Sequence, residues 1–224
     1  MADLPDDAIV PVNKPISFST YDLVRIFKRE TGFPHKIGHG GTLDPFATGV
    51  VLLLLGKATS RFEEIRTWEK VYLAGIRLGA VSSTQDIAGQ IETAERCDHG
   101  SINRSSISNI LERFVGSFVQ KVPAYSAAKH EGVPMYKLAA KGVAVAKSKT
   151  VTIMSIEIVN LKWPLLSIRV RCTGGVYIRQ LAADIGEALD LGGFLYFLER
   201  EKIGEYTLKD CASISEFRTK YASV

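Results

Sequence analysis

Cysteine is scarce in this chain of 224 residues: Cys97, Cys172 and Cys211 are widely spaced, odd in number and form no C-x-x-C pair. That argues against a disulfide framework or a zinc site and for a reducing, intracellular setting, so no metal is expected and a cytoplasmic location is. Long apolar runs are also missing. The longest, Val50 to Leu55, is far too short to span a membrane. The opening Met1-Ala2-Asp3-Leu4-Pro5-Asp6-Asp7 has no basic start and no apolar stretch, so it does not read as a secretory signal. Neither a P-loop nor a dinucleotide fingerprint occurs, and no cofactor is expected. No internal repeat, low-complexity tract or Pro/Ser-rich linker divides the chain.

What is present is ordinary for a globular protein, with 46% hydrophobic and 23% charged residues. The net charge of +4 is modest, but its placement is uneven. Between Gln120 and Lys149 six lysines (121, 129, 137, 141, 147 and 149) face one acid, Glu131, a local balance of +5. The remainder is close to neutral, and so concentrated a patch suits a phosphate backbone.

Local patterns predict a mixture of elements. Ser19 to Asp22 resembles a capping box opening a helix with Leu23, Val24, Ile26 and Phe27 on its apolar side and Arg25, Lys28 and Arg29 on another. Lys70 to Gly79 alternates as a strand with Tyr72, Ala74, Ile76 and Leu78 on one face, followed by a polar loop from Val81 to Gly89. Ser106 is placed to cap a helix through Ile107, Ile110, Leu111 and Phe114 that stops at Gly116. Pro134 and Gly142 bracket a short helix. Val151 to Trp163 and Leu165 to Cys172 read as two strands, and Ile178, Leu181, Ala182, Ile185 and Leu189 as a helical stripe ending at Gly192-Gly193. Strands and helices mixed without strict alternation indicate an α+β fold.

The segment from His35 to Val50 carries the chemistry. Three glycines, His39 and Asp44 crowd a few residues ahead of the apolar run Val51 to Leu55. Asp44 precedes Pro45, which biases it toward an extended or turn conformation. Taken alone, an aspartate before proline fits either a local backbone cap or a reactive acid held at the rim of a cleft. Tyr72 is equally open between core and site by its periodicity, as is Arg179 between surface cation and site residue.

The string Gly38-His39-Gly40-Gly41-Thr42-Leu43-Asp44-Pro45-Phe46-Ala47-Thr48-Gly49-Val50 resembles the G-H-x-G-T-L-D-P-x-A-x-G-V block of TruB-type tRNA pseudouridine-55 synthases. Three further blocks follow in that family's order: Lys70-Val71-Tyr72, Gln120 to Lys129 with Gly132 and Tyr136, and Cys172 to Arg179. The resemblance runs from Val12-Asn13-Lys14-Pro15 to about Leu208. It departs from the family pattern in a few places. Ser17 stands where a glycine is usual, Ser60 for a basic residue, Ala124 for a second proline, Gly174 for lysine and Val176 for threonine.

The resemblance implies the pseudouridine-synthase fold: a mixed, mostly antiparallel central sheet flanked by helices and loops, with an RNA-gripping thumb insertion over about 120–149. A flexible N-terminus (1–10) and a single catalytic domain (11–224) are expected, and, since the chain stops soon after Glu216-Phe217 where many members of that family continue, no C-terminal PUA-type domain. The implied activity is uridine-to-pseudouridine isomerisation at position 55 in the T loop of tRNA, by base flipping and without cofactor, in a protein expected to be monomeric. Asp44 would be the nucleophile, Tyr72 the stacking aromatic and Arg179 the partner of Asp44. Substrate contacts would come from His39, Gly40, Thr42, Lys14, Tyr177, Lys129, Lys137 and Lys141. The chemistry suits those residue types: cleaving the N1–C1′ bond builds positive character on the sugar, which a carboxylate stabilises or attacks. A flipped base needs a surface to replace its lost stacking. A synthase for another RNA and a non-catalytic RNA-folding module are the alternatives; a glycosidase would need a second positioned acid, which the motif blocks lack.

Overall fold

The computed structural model describes residues 5–94 and 102–221; Cys97 lies outside them. In chain order the elements are β1 (Ile9–Lys14), α1 (Thr20–Thr31), β2 (Ile37–His39), β3 (Thr48–Leu55), α2 (Phe62–Thr67) and β4 (Lys70–Leu78). Then come β5 (Ala80–Ser82), β6 (Ile91–Thr93), α3 (Arg104–Glu112), β7 (Gly116–Lys121), β8 (Lys129–His130), β9 (Val133–Pro134) and α4 (Met135–Ala139). The last are β10 (Ser148–Lys162), β11 (Leu165–Cys172), α5 (Ile178–Ala188), β12 (Gly193–Ile203), β13 (Tyr206–Thr207) and α6 (Phe217–Tyr221).

The chain divides into two compact units: Met1–Leu73 with Leu198–Val224, and Ala74–Phe197. No linker marks the division because it falls inside two strands, β4 and β12.

In the first unit the strand order is β1–β3–β12, with β2 also on β3 and β13 on β12. The pairing of β3 with β12 is parallel; β1 with β3, β2 with β3 and β12 with β13 are antiparallel. The apolar run Val50 to Leu55 is β3, and both of its faces are buried, as a continuous apolar strand requires. Val50, Leu52 and Leu54 pack with Ala58, Ile65 and Ile203. The capping box at Ser19 forms as expected, with Asp22 returning the bond, and Leu23, Val24 and Phe27 are buried while Arg25, Lys28 and Arg29 are exposed. Residues 1–10 were expected to be a flexible tail, but Ile9 and Val10 already belong to β1 opposite Leu54 and Leu53. Their alternation of buried and half-buried apolar side chains is enough to extend the sheet.

In the second unit the order is β4–β11–β10–β7. β11 and β7 both pair with β10 antiparallel. Leu166, Ile168, Val170 and Cys172 line the buried face of β11, and Leu181, Ala182 and Ile185 the buried stripe of α5. α5 turns back tightly onto β12, since a Cβ on Gly186 would lie 2.2 Å from the backbone nitrogen of Gly193. Two local expectations are corrected. Asn103, not Ser106, caps α3; Ser106 supplies the reciprocal bond from the third helical position. Gly116, with φ 100°, does not merely end that helix but opens β7. The loop from Val81 to Gly89 includes the end of a short hairpin, β5–β6.

Candidate active site

The loop carrying Asp44 is fixed by donors aimed at its backbone. On the N-terminal side, Leu43 is buried, and the Thr20 hydroxyl accepts from its N–H at 2.9 Å and donates to its carbonyl at 3.2 Å. On the C-terminal side the Pro45 carbonyl accepts from Lys14 Nζ at 3.1 Å and from the Ser17 N–H at 2.9 Å. The Asp44 carbonyl accepts from the Ala47 N–H at 3.0 Å, closing a turn. Arg200, on β12 and 1% exposed, spans the loop: Nε donates to the Val50 carbonyl at 2.7 Å, Nη1 to Thr42 at 3.3 Å and Nη2 to Gly41 at 3.2 Å. At Gly49, φ is 106° and an added Cβ would lie 2.3 Å from the Arg200 carbonyl oxygen, so only glycine admits this approach. Asp44 itself is half-buried.

Lys14 and Gly40, expected to contact RNA, are both buried beneath the loop. Lys14 is fully buried and spends its ammonium on the carbonyls of Pro15, Phe18 and Pro45. Burial first, and then the Arg200 charge, pulls its pKa down to about 8, against the opposing pull of Asp44 and Asp22. Gly40 is buried because its missing side chain makes room: a Cβ there would lie 2.7 Å from Ile65 Cγ2 and 3.3 Å from Leu52 Cβ. Both residues shape the loop from beneath.

His39 and Thr42 remain at the surface of that loop, half-buried and exposed respectively. Burial, then the Arg200 charge, lowers the His39 pKa below its usual 6.5, so the ring is neutral at pH 7. Its Nδ1 faces the Gly41 N–H at 3.4 Å, which puts the remaining ring proton on Nε2. Tyr72 lies on the inward face of β4 with Lys70 and Ala74 and is only 6% exposed. The lysine of the Lys70-Val71-Tyr72 block closes the end of α2, donating to the carbonyls of Arg66 at 3.1 Å and Trp68 at 2.8 Å. A cation there matches the negative end of the helix.

In the second unit Arg179, 8% exposed, donates through Nη2 to the Tyr125 carbonyl at 2.8 Å and pairs through Nη1 with Asp86 Oδ2 at 3.3 Å. Asp86 is 3% exposed; its other oxygen accepts from the Thr84 hydroxyl at 2.6 Å and the Ala88 N–H at 3.0 Å. Tyr177 is held at its backbone by Gln120, whose amide accepts from the Tyr177 N–H at 2.9 Å and donates to its carbonyl at 3.1 Å. Lys129, Lys137 and Lys141 are all exposed, on β8, on α4 and just beyond it, as phosphate-binding side chains must be. Tyr125 and Tyr136, in the same segment, are exposed as well.

Arg200, Asp86 and Gln120 escaped the sequence reading as supports of the site. Arg200 sits in Glu199-Arg200-Glu201-Lys202, which reads as a solvated charge run, and Asp86 in what reads as a polar turn. The one usable signal was the alternation of β12 itself, which buries Leu198, Arg200 and, one residue out of phase, Ile203.

Residues 25–178 match the family described as TruB family pseudouridylate synthase (N terminal domain). The tRNA pseudouridine synthase B of Parabacteroides distasonis is 41% identical over 214 residues, which cover 93% of this chain and 90% of that protein. That of Dehalococcoides mccartyi is 38% identical over 215 residues, covering 94% of this chain and 69% of that protein. Among solved structures, one of a Cbf5-Nop10-Gar1 complex matches with a TM-score of 0.73 at 24% identity, over 96% of this chain and 55% of the other, a likeness of fold. The chain belongs to the TruB family of pseudouridylate synthases.

Proposed function

We propose that this protein is a tRNA pseudouridine synthase that isomerises the uridine at position 55, in the T loop. Isomerisation of uridine in tRNA rests on family membership and on relatives near 40% identity that span almost the whole chain. The finer reading rests on one observation: Asp44 stands on a loop whose backbone is fixed on both sides by buried donors, Thr20, Lys14 and Arg200. A carboxylate so held reaches a ribose carbon without first paying to order its own loop, which is where much of an enzyme's rate enhancement comes from.

In the proposed mechanism the target uridine leaves its stack, and His39, neutral and carrying its proton on Nε2, packs against the RNA that the flip exposes. Tyr72 lends the base an aromatic surface worth about 1–3 kcal/mol. Asp44, ionised, meets the positive character that develops as N1 and C1′ part, and the base turns and rejoins through C5, which gives up its proton while N1 takes one, so that the product is an isomer. Arg179 is the guanidinium that keeps the acid charged and oriented. The lysines at 129, 137 and 141 bind phosphates, so affinity falls steeply with salt. The protein works as a monomer in the cytoplasm, without a cofactor.

The test is direct. Unmodified tRNA transcript is incubated with the protein, and pseudouridine is mapped by carbodiimide chemistry and primer extension. A stop one nucleotide 3′ of position 55 that vanishes with Asp44→Asn is expected. A stop that marks another uridine, or one that survives the substitution, overturns the reading.

A further inference from the structure

The turn that leads from β11 into α5 carries Tyr177, half-buried, just ahead of the buried Arg179, yet from Cys172 to Ile178 it carries no cation. Position 174, where the family pattern has lysine, is glycine. A cation nevertheless stands at this turn, and it comes from another strand. Lys149, near the start of β10, holds its Nζ 4.2 Å from the centroid of the Tyr177 ring. The same Nζ lies 3.2 Å from the point where a Cβ on Gly175 would be.

Its placement is not that of a loose surface lysine. Lys149 pairs across the strands with Gln120 of β7, and Gln120, 1% exposed, is the residue whose amide grips the Tyr177 backbone. One cross-strand pair therefore holds the tyrosine twice, Gln120 by its peptide groups and Lys149 over its ring. Lys149 is itself only half-buried, so its ammonium is held in place without being sealed from solvent. An aromatic ring with an ordered cation beside it is the pairing that single-stranded nucleic acid uses: the ring takes a base, the cation a phosphate.

We propose that Lys149 contacts the substrate RNA backbone beside Tyr177, supplying from β10 the positive charge that the Cys172–Arg179 turn lacks at Gly174. This rests on the reading of the chain as an RNA-modifying enzyme.

The experiment measures binding of unmodified tRNA transcript as a function of potassium chloride, with single-turnover pseudouridine formation on the same transcript. Lys149→Ala is expected to raise Kd roughly three- to tenfold and to reduce the slope of log Kd on log salt by about 0.7 to 1, the signature of one lost phosphate contact. Lys149→Arg should keep both. Gly174→Lys in the Lys149→Ala background should restore the slope, because the left-handed residue of the turn is Gly175, with φ 97°, and not Gly174. Lys149→Gln, which keeps most of the stem, serves if the alanine variant melts early. A slope unchanged in Lys149→Ala and Lys149→Gln overturns the proposal: the lysine then only packs on the ring. Failure of Gly174→Lys to restore the slope overturns the equivalence of the two positions. Absence of pseudouridine from the wild-type reaction sinks the functional reading instead, and the binding data still judge Lys149.

Discussion

Arg200→Lys separates the geometry of the Asp44 loop from its electrostatics. The guanidinium reaches the Val50 carbonyl with Nε and the Gly41 and Thr42 carbonyls with its two terminal nitrogens, so its planar fork ties the two sides of the loop together. An ammonium keeps the charge but is a compact point on a shorter reach, and it can serve one side only. At least one buried carbonyl then loses its donor, at about 1–3 kcal/mol each. Arg200→Met would lose all three bonds, a large share of the roughly 5–15 kcal/mol that holds a typical protein folded, so the lysine variant is the informative one. A loop free to shift by about 1 Å costs on the order of 100-fold in rate. Arg200→Lys is therefore expected to cut the single-turnover rate on saturating tRNA about 100-fold while leaving Kd within about twofold, since no RNA contact is removed. Amide exchange within 41–50 should quicken in parallel. The His39 pKa, read by NMR, should stay where it is, because the charge that depresses it remains. A full rate with unchanged exchange would refute the claim that Arg200 positions the loop.

Three further outcomes are expected. Ser17 has φ 70° where the family pattern has glycine; Ser17→Gly should relieve part of the roughly 1–2 kcal/mol cost of a left-handed residue, offset by glycine's looser unfolded chain. A rise in thermal midpoint of about 1–4 °C is the result to look for, and a fall would show that the serine side chain matters more than its backbone. Lys14 has a folded pKa of about 8 against an ordinary 10.5, so between those values the unfolded chain holds a proton that the folded one has shed, and stability from this site rises with pH. The gap in unfolding free energy between wild type and Lys14→Met should accordingly widen in favour of wild type by roughly 1–3 kcal/mol from about pH 7.5 to pH 10, by urea titration; a flat difference contradicts the buried charge. Tyr72→Phe should bind tRNA normally and still flip the base; loss of turnover with retained binding assigns a proton-transfer role to the hydroxyl, and full turnover assigns stacking alone.

Much of this was legible in the sequence where the cause is local. The Ser19–Asp22 box needs only residues three apart, the stripe of α5 and the alternation of β4 and β11 need only a period, and the pairing of Pro134 with Gly142 around a short helix needs only their backbone preferences. The motif blocks single out Asp44, Tyr72, Tyr177 and Arg179 as candidates because each block is contiguous. The capping of α3 slipped by one turn because Asn103 and Ser106 are both good caps and reciprocate.

What tertiary structure decided were partnerships between residues far apart in sequence. Lys14 reads in one dimension as a substrate contact and Arg200 as part of a solvated charge run; only the folded chain shows both buried, with their donors spent on backbone carbonyls of the Asp44 loop and its surroundings. Gly40 looks like part of a ligand-binding loop until Ile65 and Leu52 are seen filling the space where its side chain would be. Lys149 reads as one of six lysines in a basic segment, and the β7–β10 register alone puts it over Tyr177. Sequence fixes what a residue prefers within its own turn of chain, through sterics and periodic burial. Desolvation and the choice of hydrogen-bond partner depend on what packs against it, and that is known only once the strands have found one another.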